Sequence, residues 1–383
     1  MKVGFYTSTR EYNEKKEEFN SAVLGVMERG ISMLGTDVTD FEKAVQEFTG
    51  AKYAIGVASG TDALVMAADI LGFKDGKEVI TSPFTFLAST SCIAKHRAKP
   101  VFVDIDEETF GIDASKIEEK ITKDTVGIIP IHLFSQMCDM DKIMDIANRN
   151  NLKVLEDSAE SFGMRWKGNG AEYNHAGTIG DFGVFSFFPT KTLGAYGDAG
   201  MIVTNDEELA RTTKMYRVHG ASKKYHYDYI GYNSRLDSIQ AAILQVKMKY
   251  IDDSIKKRER IAKLYIDRLQ ECEFITIPKI IGAQQPVYYV FNILAQRRDE
   301  LSEYLKVNEI GTSIYYPIPL HLQKCFEYLG HKKGDFPVSE RIAENIIALP
   351  IYPEITDEEV EFVCETIKKF YSATHVASGK LGI

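Results

Sequence analysis

In SFFPTKTLGAYGDAG, residues 186 to 200, Lys191 follows an apolar run that closes on proline and precedes three glycines. A lysine held in a partly desolvated pocket can give up its proton and form a Schiff base with a carbonyl compound, whereas one on an open loop is only a solvated charge. Asp157, 34 residues earlier in VLEDSAESFG, closes another apolar run. A carboxylate there needs a cationic partner or strong donors. A protonated ring nitrogen would serve, and so would a structural role capping the next segment. A third run ends in Ser59-Gly60-Thr61 before the helix-like TDALVMAADILG. Backbone N–H groups at a helix start attract an anion, glycine lets it approach and the hydroxyls add donors. Ser59 or Thr61 could equally be a plain helix cap. Each feature alone is ambiguous. Together, a phosphate cradle, an aspartate for a pyridinium nitrogen and an amine are the parts that pyridoxal phosphate requires.

These residues need a scaffold that brings strand ends together. From about residue 53 to 206 the runs KYAIGVAS, KEVITSP, KPVFVDID, TVGIIPIHLF, KVLEDSA, DFGVFSFF and GMIVTND alternate with helix-like segments. They predict an α/β fold with a sheet covered on both faces. Ligands of such sheets bind at the carboxyl ends of the strands. TDFEKAVQEFTG puts Phe41, Ala44, Val45 and Phe48 on one helical stripe, with Gly50 as a stop. From Arg235 to about Cys272 the pattern is helical, with KKRER at 256 to 260 suggesting an exposed stretch or break. A smaller α+β unit follows: the strand candidates PVYYVFNILA and GTSIYYP, a helix at about 299 to 307, and the helix TDEEVEFVCETIKKFY. The tail ATHVASGKLGI reads as loose. We therefore expect a large domain over residues 1–245 and a smaller one over 246–383.

Composition removes several function classes. With 55 acidic against 46 basic side chains and no basic block, the electrostatic footprint of a nucleic-acid binder is missing. No window holds the eighteen or so apolar residues of a bilayer span. The charged opening MKVGFYTSTREYNEKKEEF lacks the apolar core of a secretory signal, so a cytoplasmic location is expected. Cys92, Cys138, Cys272, Cys325 and Cys364 have no CxxC spacing, which predicts reduced thiols and no zinc. DIDEETFGID lacks the spacing of a calcium loop, and GNGAEY follows no strand as a dinucleotide fingerprint would. His132, His219 and His321 sit at strand or loop ends where each could face a pocket or simply satisfy hydrogen bonds. Tyr315 and Tyr316 could cover a ligand or pack an interface, and Trp166 could lie near a pocket mouth.

The motifs, taken in order from GTDVTDFEKAVQEFTGAKYAIGVASGTDAL to LPIYPEITDEEV, resemble the sugar aminotransferases of the DegT/DnrJ/EryC1/StrS group over nearly the whole chain. The resemblance implies a fold-type-I, pyridoxal-phosphate-dependent transferase with a mostly parallel seven-stranded sheet. It implies that Lys191 forms the internal aldimine and then acts as acid and base for the 1,3-proton shift, and that Asp157 holds the pyridinium nitrogen protonated. Gly60, Thr61 and Ser186 would take the phosphate, Phe86 would stack on the ring, and Glu160, where many relatives carry Gln, would lie near the ring hydroxyl or the substrate amine. Asn233 in GYNSRLD would reach the phosphate in the neighbouring subunit, which implies a homodimer with shared sites. His321 resembles a small-domain contact to the active site, with Tyr316 and His219 as further substrate candidates.

Ser135 and Ala199 stand where glycine is common in the group, small changes that leave the lysine chemistry intact. Lys191 has not become histidine, the change that marks the group's sugar dehydratases. The implied reaction moves an amino group from L-glutamate to a nucleotide-linked keto sugar. YNSRLDSIQAAIL leans toward relatives that aminate a 3-keto carbon, with a 4-keto sugar or an inosose as alternatives, and a non-catalytic regulatory or binding protein of the same fold as the rival from another class.

Overall fold

All seven predicted runs become strands of one sheet: β1 (Tyr53–Val57), β2 (Glu78–Thr81), β3 (Lys99–Phe102), β4 (Thr125–Ile128), β5 (Lys153–Asp157), β6 (Phe182–Ser186) and β7 (Gly200–Thr204). The computed structural model describes residues 1–378. The strand order is β1-β7-β6-β5-β4-β2-β3. From β6 through β3 every pairing is parallel, and β7 alone runs antiparallel to both its neighbours.

Helices cover both faces because the strands are apolar on both. Side chains alternate across a strand, so neighbours in sequence enter different cores. On β7, Ile202 joins the cluster of helices Gly60–Ile70 and Leu87–Lys95, while Met201 and Val203 join that of helix Thr36–Thr49. On β5, Leu155 and Val154 divide in the same way, Val154 packing toward helix Met140–Arg149. Helix Thr36–Thr49 buries Phe41 and Val45 as its stripe predicts, and Gly50 ends it at φ +80°, a left-handed conformation that favours glycine.

The second half holds a smaller antiparallel sheet of β8 (Ile275–Thr276), β9 (Phe291–Ala295) and β10 (Ile346–Leu349) in that order. Its apolar core is separate, built with Ile261 and Tyr265 from helix Ile251–Leu269, Leu301 and Leu305 from helix Arg298–Val307, and Val360 and Ile367 from the final helix. Val3 belongs to this core and bridges Ile310 in parallel. The following residues pass back toward the large sheet: Tyr6 Oη donates to Pro189 O at 2.6 Å, and Arg10 pairs with Glu359.

Three expectations need correction. The helical stretch is two helices, Ser238–Met248 and Ile251–Leu269, and the break falls at Lys249-Tyr250. KKRER is continuous helix, exposed at Lys256, Lys257, Glu259 and Arg260 as expected, while Arg258, 2% exposed, turns inward and donates to the carbonyls of Tyr288, Tyr289 and Ile351. GTSIYYP is no strand: only Ser313 bridges Ala348, and the third strand is the wholly buried IIAL of β10, whose lack of alternation hides it. The final helix runs Asp357–Ser378, so the start of the tail expected to be loose is helical, and 379–383 lie outside the described residues. No helix among the described residues is long and apolar enough to cross a membrane.

Candidate active site

The carboxyl ends of β1, β5 and β6 open onto one cavity of about 470 Å³, within the usual range for a small-molecule site. Ser59, Gly60 and Thr61 line it from β1, Asp157 and Glu160 from β5, and Ser186 and Lys191 from β6, while Tyr289, Tyr315 and Tyr316 face them from the second half. β6 and β7 are antiparallel neighbours, so their connection, residues 187–199, must turn back over the sheet end, and Lys191 rides on that turn.

At the β1 corner the helix begins at Gly60, and Ser59 Oγ accepts from Asp62 N at 3.0 Å. Ser59 is therefore a cap, while the amides of Gly60 and Thr61 lie where intrahelical acceptors run out. A Cβ on Gly60 would come within 2.7 Å of Ser186 Cβ, so only glycine lets this helix start meet β6 across the cradle. At the β5 corner Asp157 is 4% exposed and accepts from Ser89 Oγ at 2.6 Å and from Ala159 N at 3.1 Å. Burial pushes its pKa above the usual carboxylate range against the pull of Ser89, Ala159 N–H, Lys191 and His132.

Lys191 Nζ stands 3.4 Å from Glu160 Oε1 and 4.2 Å from the centre of the Tyr289 ring. Burial acts to lower its pKa, but Glu160, Tyr289 and Asp157 outweigh it and the amine is held as a cation. Desolvation alone, the expectation from sequence, is thus overruled by the surrounding negative groups. Glu160 Oε1 also accepts from Tyr316 Oη at 3.3 Å, while its Oε2 is buried with no hydrogen-bond partner among the described residues. An orphaned carboxylate oxygen on a cavity wall is costly unless a ligand donates to it. Phe86, 58% exposed, stands beside Tyr316 on the same wall.

Not every candidate converges here. His321 is buried, its Nε2 3.0 Å from Glu340 Oε1, and burial lowers its pKa. It braces the segment around Phe336 instead of lining the cavity. His132 is buried against Glu156, with Nδ1 accepting from Cys138 N, and is structural. His219 and Asn233 are exposed and outside their own chain's cavity, and Asn233 accepts from Arg235. Trp166 lines a different hollow with Gln284. Conversely, Tyr289, Ser89, Thr190 and Phe188 line the cavity without having been singled out. Ser89 lies three residues past Phe86, in the first turn of the helix that Phe86 precedes. Tyr289 has no such local signal, since its approach depends on packing between distant segments.

An α/β sheet with an amine-bearing turn opposite a buried carboxylate and a helix start defines a transferase of the fold-type-I class. The chain belongs to the DegT/DnrJ/EryC1/StrS aminotransferase family, whose pattern matches residues 13–368. It is 42% identical to a pleiotropic regulatory protein of Geobacillus stearothermophilus, covering 97% of this chain and 99% of that one. It is 40% identical to dTDP-3-amino-3,6-dideoxy-alpha-D-galactopyranose transaminase of Aneurinibacillus thermoaerophilus, covering 95% and 99%. The solved structure of S. venezuelae DesV in complex with a ketimine intermediate superposes with a TM-score of 0.92 at 32% identity, covering 96% and 98%.

Proposed function

We propose that this enzyme is a pyridoxal-phosphate-dependent aminotransferase that moves an amino group from L-glutamate to a nucleotide-linked 3-keto sugar. The observation that carries the reading is the convergence of Lys191, Asp157 and the Gly60 helix start on one cavity. The donor set suits the cofactor. The helix start and the Ser186 hydroxyl would take a phosphate, the buried Asp157 carboxylate would pair with a protonated ring nitrogen, and the unpartnered Glu160 Oε2 would accept from a ring hydroxyl or a substrate amine. Phe86 would lie against the ring. Once bound, pyridoxal phosphate supplies an aldehyde that exchanges amino groups and a ring that accommodates the negative charge left on carbon.

Lys191 Nζ would then serve as acid and base, taking the proton from the donor's α-carbon and delivering it to the carbon that carried the cofactor's aldehyde. Glu160 and Tyr316 fix that nitrogen's position through Oε1. Tyr289 and Tyr315 line the cavity from the second half, with the Tyr289 ring 4.2 Å from Lys191 Nζ.

The 3-keto preference is supported by the relative that makes a dTDP-3-amino sugar. The similarity to a pleiotropic regulatory protein favours a non-catalytic role, and the complete set of side chains around Lys191 weighs against it. We further propose a homodimer in which Asn233, exposed on its own chain, reaches the neighbour's phosphate. A cytoplasmic location and a division at residues 245/246 complete the reading. A separate apolar core drawn from residues 261–371, with Val3 crossing into it, supports the division, while Tyr289, Val290 and Ile346 pack into the core of the large sheet. Incubation of purified protein with glutamate and a panel of 3-keto and 4-keto nucleotide sugars, with mass detection of the amine, tests the function. A visible absorption band that glutamate bleaches and an aminated 3-keto product are expected. A colour that no amino donor alters would overturn the reading in favour of a binding protein.

A further inference from the structure

Asp157 takes its shortest hydrogen bond from a residue outside the roles assigned so far. Ser89 Oγ donates to Asp157 Oδ2 at 2.6 Å, and Thr85 Oγ1 lies 2.9 Å behind Ser89 Oγ. Thr85 is 2% exposed and Ser89 1%. An ionised carboxylate only accepts, so the single Ser89 hydrogen is committed to Asp157 and Thr85 must donate to Ser89. The chain of hydroxyls therefore has one direction, and each link strengthens the next in a dry interior. Ser89 lies in the first turn of helix Leu87–Lys95, and Thr85 and Phe86 immediately precede that helix. One turn thus presents the aromatic face and anchors the carboxylate.

We propose that Ser89, ordered by Thr85, is a positioning residue that fixes the Asp157 carboxylate for a protonated ring nitrogen. The inference rests on the reading of Asp157 given above. Two donors hold Asp157, one on each oxygen, which stops the carboxylate rotating and leaves each oxygen a further lone pair. The other titratable groups around it are Lys191 on the turn after β6, His132 beyond β4, Glu160 after β5, Tyr316 from the second half and Cys92 on Ser89's own helix. Of the contacts opposing the effect of burial on Asp157, the Ser89 hydrogen bond is the largest.

The test compares Ser89→Ala, Thr85→Val, Thr85→Ser and Asp157→Asn in the full chain. Pyridoxal phosphate is titrated into each apoprotein, the absorption of each loaded protein is followed against pH, and kcat and KM for glutamate are measured separately. Loss of a hydrogen bond to a charged group predicts that Ser89→Ala weakens cofactor binding about tenfold or more and shifts the pH profile. KM for glutamate should stay within about twofold. Thr85→Val should move the same way by less, and Thr85→Ser should restore wild-type behaviour. Wild-type affinity and pH profile in Ser89→Ala, beside a defective Asp157→Asn, would overturn the inference and leave the function standing. An unimpaired Asp157→Asn would sink both. Should Ser89→Ala fail to fold, the Thr85 pair decides, and identical pH profiles for Val and Ser would refute the relay.

Discussion

At Lys191 burial and neighbouring charge pull in opposite directions, and charge wins. The side chain is only 15% exposed, yet Glu160 and Asp157 hold its amine protonated until a ligand changes the balance. Lys191→Ala should therefore lower turnover by at least about 10³-fold and remove the visible band, with the melting temperature kept within a few degrees. Near-normal turnover in that variant would end the catalytic assignment. His175 offers a residue-scale test of the core. Its Nδ1 donates to Ala176 O at 2.6 Å, its Nε2 accepts from Gly163 N at 2.8 Å, and burial pushes its pKa down to about 4. From about pH 6.5 down to 4 the unfolded chain takes a proton that the folded chain refuses. Stability is therefore lost as pH falls, by about 3 kcal/mol in all. Melting curves of His175→Gln should fall less steeply than wild type across that window, and parallel slopes would contradict the assignment. Asp157 was legible because it closes an apolar run, and Lys191 because it follows one that ends in proline. Tyr289 was not, because nothing in PVYYV says which tyrosine crosses to the lysine turn.

Among the elements, helix Pro337–Asn345 receives its cap from far away in sequence. Asp104, just beyond β3, accepts from Val338 N and Ser339 N at 3.0 Å each and from Ser339 Oγ at 2.6 Å. This joins the large sheet to the segment that carries His321 and Glu340. Asp104→Ala should cost about 1–2 kcal/mol, measured by urea unfolding. A loss below about 0.3 kcal/mol would mean that water replaces the cap. Element-scale reading succeeded where period and punctuation agree, as in the seven strand runs and the helix closed by Gly50. It was incomplete at KKRER, where Lys256, Lys257, Glu259 and Arg260 are exposed as their charge suggests but Arg258 satisfies three inward carbonyls, and it failed at β10, where four apolar residues carry no period. Neither is visible without the partner segment.

For the whole molecule, the exposed Asn233 sits beside Ser234, whose Oγ accepts from Ala58 N at 3.1 Å and donates to Asp62 Oδ2 at 2.8 Å. The loop that would reach a neighbour is thus fastened to its own chain's helix start at Gly60. Light scattering should give twice the 43.1 kDa chain mass, and Asn233→Ala should lose cofactor about tenfold more readily while keeping that mass. A monomer with full activity would rule out shared sites.

The strap of residues 3 to 10 has a temporal consequence. Val3 pairs with Ile310, Tyr6 grips the turn that carries Lys191, and Arg10 meets Glu359. Synthesis runs from the amino end, so residues 3 to 10 leave the ribosome some 300 positions before two of their partners exist. The sheet can assemble on the nascent chain with Tyr6 already against Pro189, but the strap is fastened at both ends only after Ile310 and Glu359 have emerged.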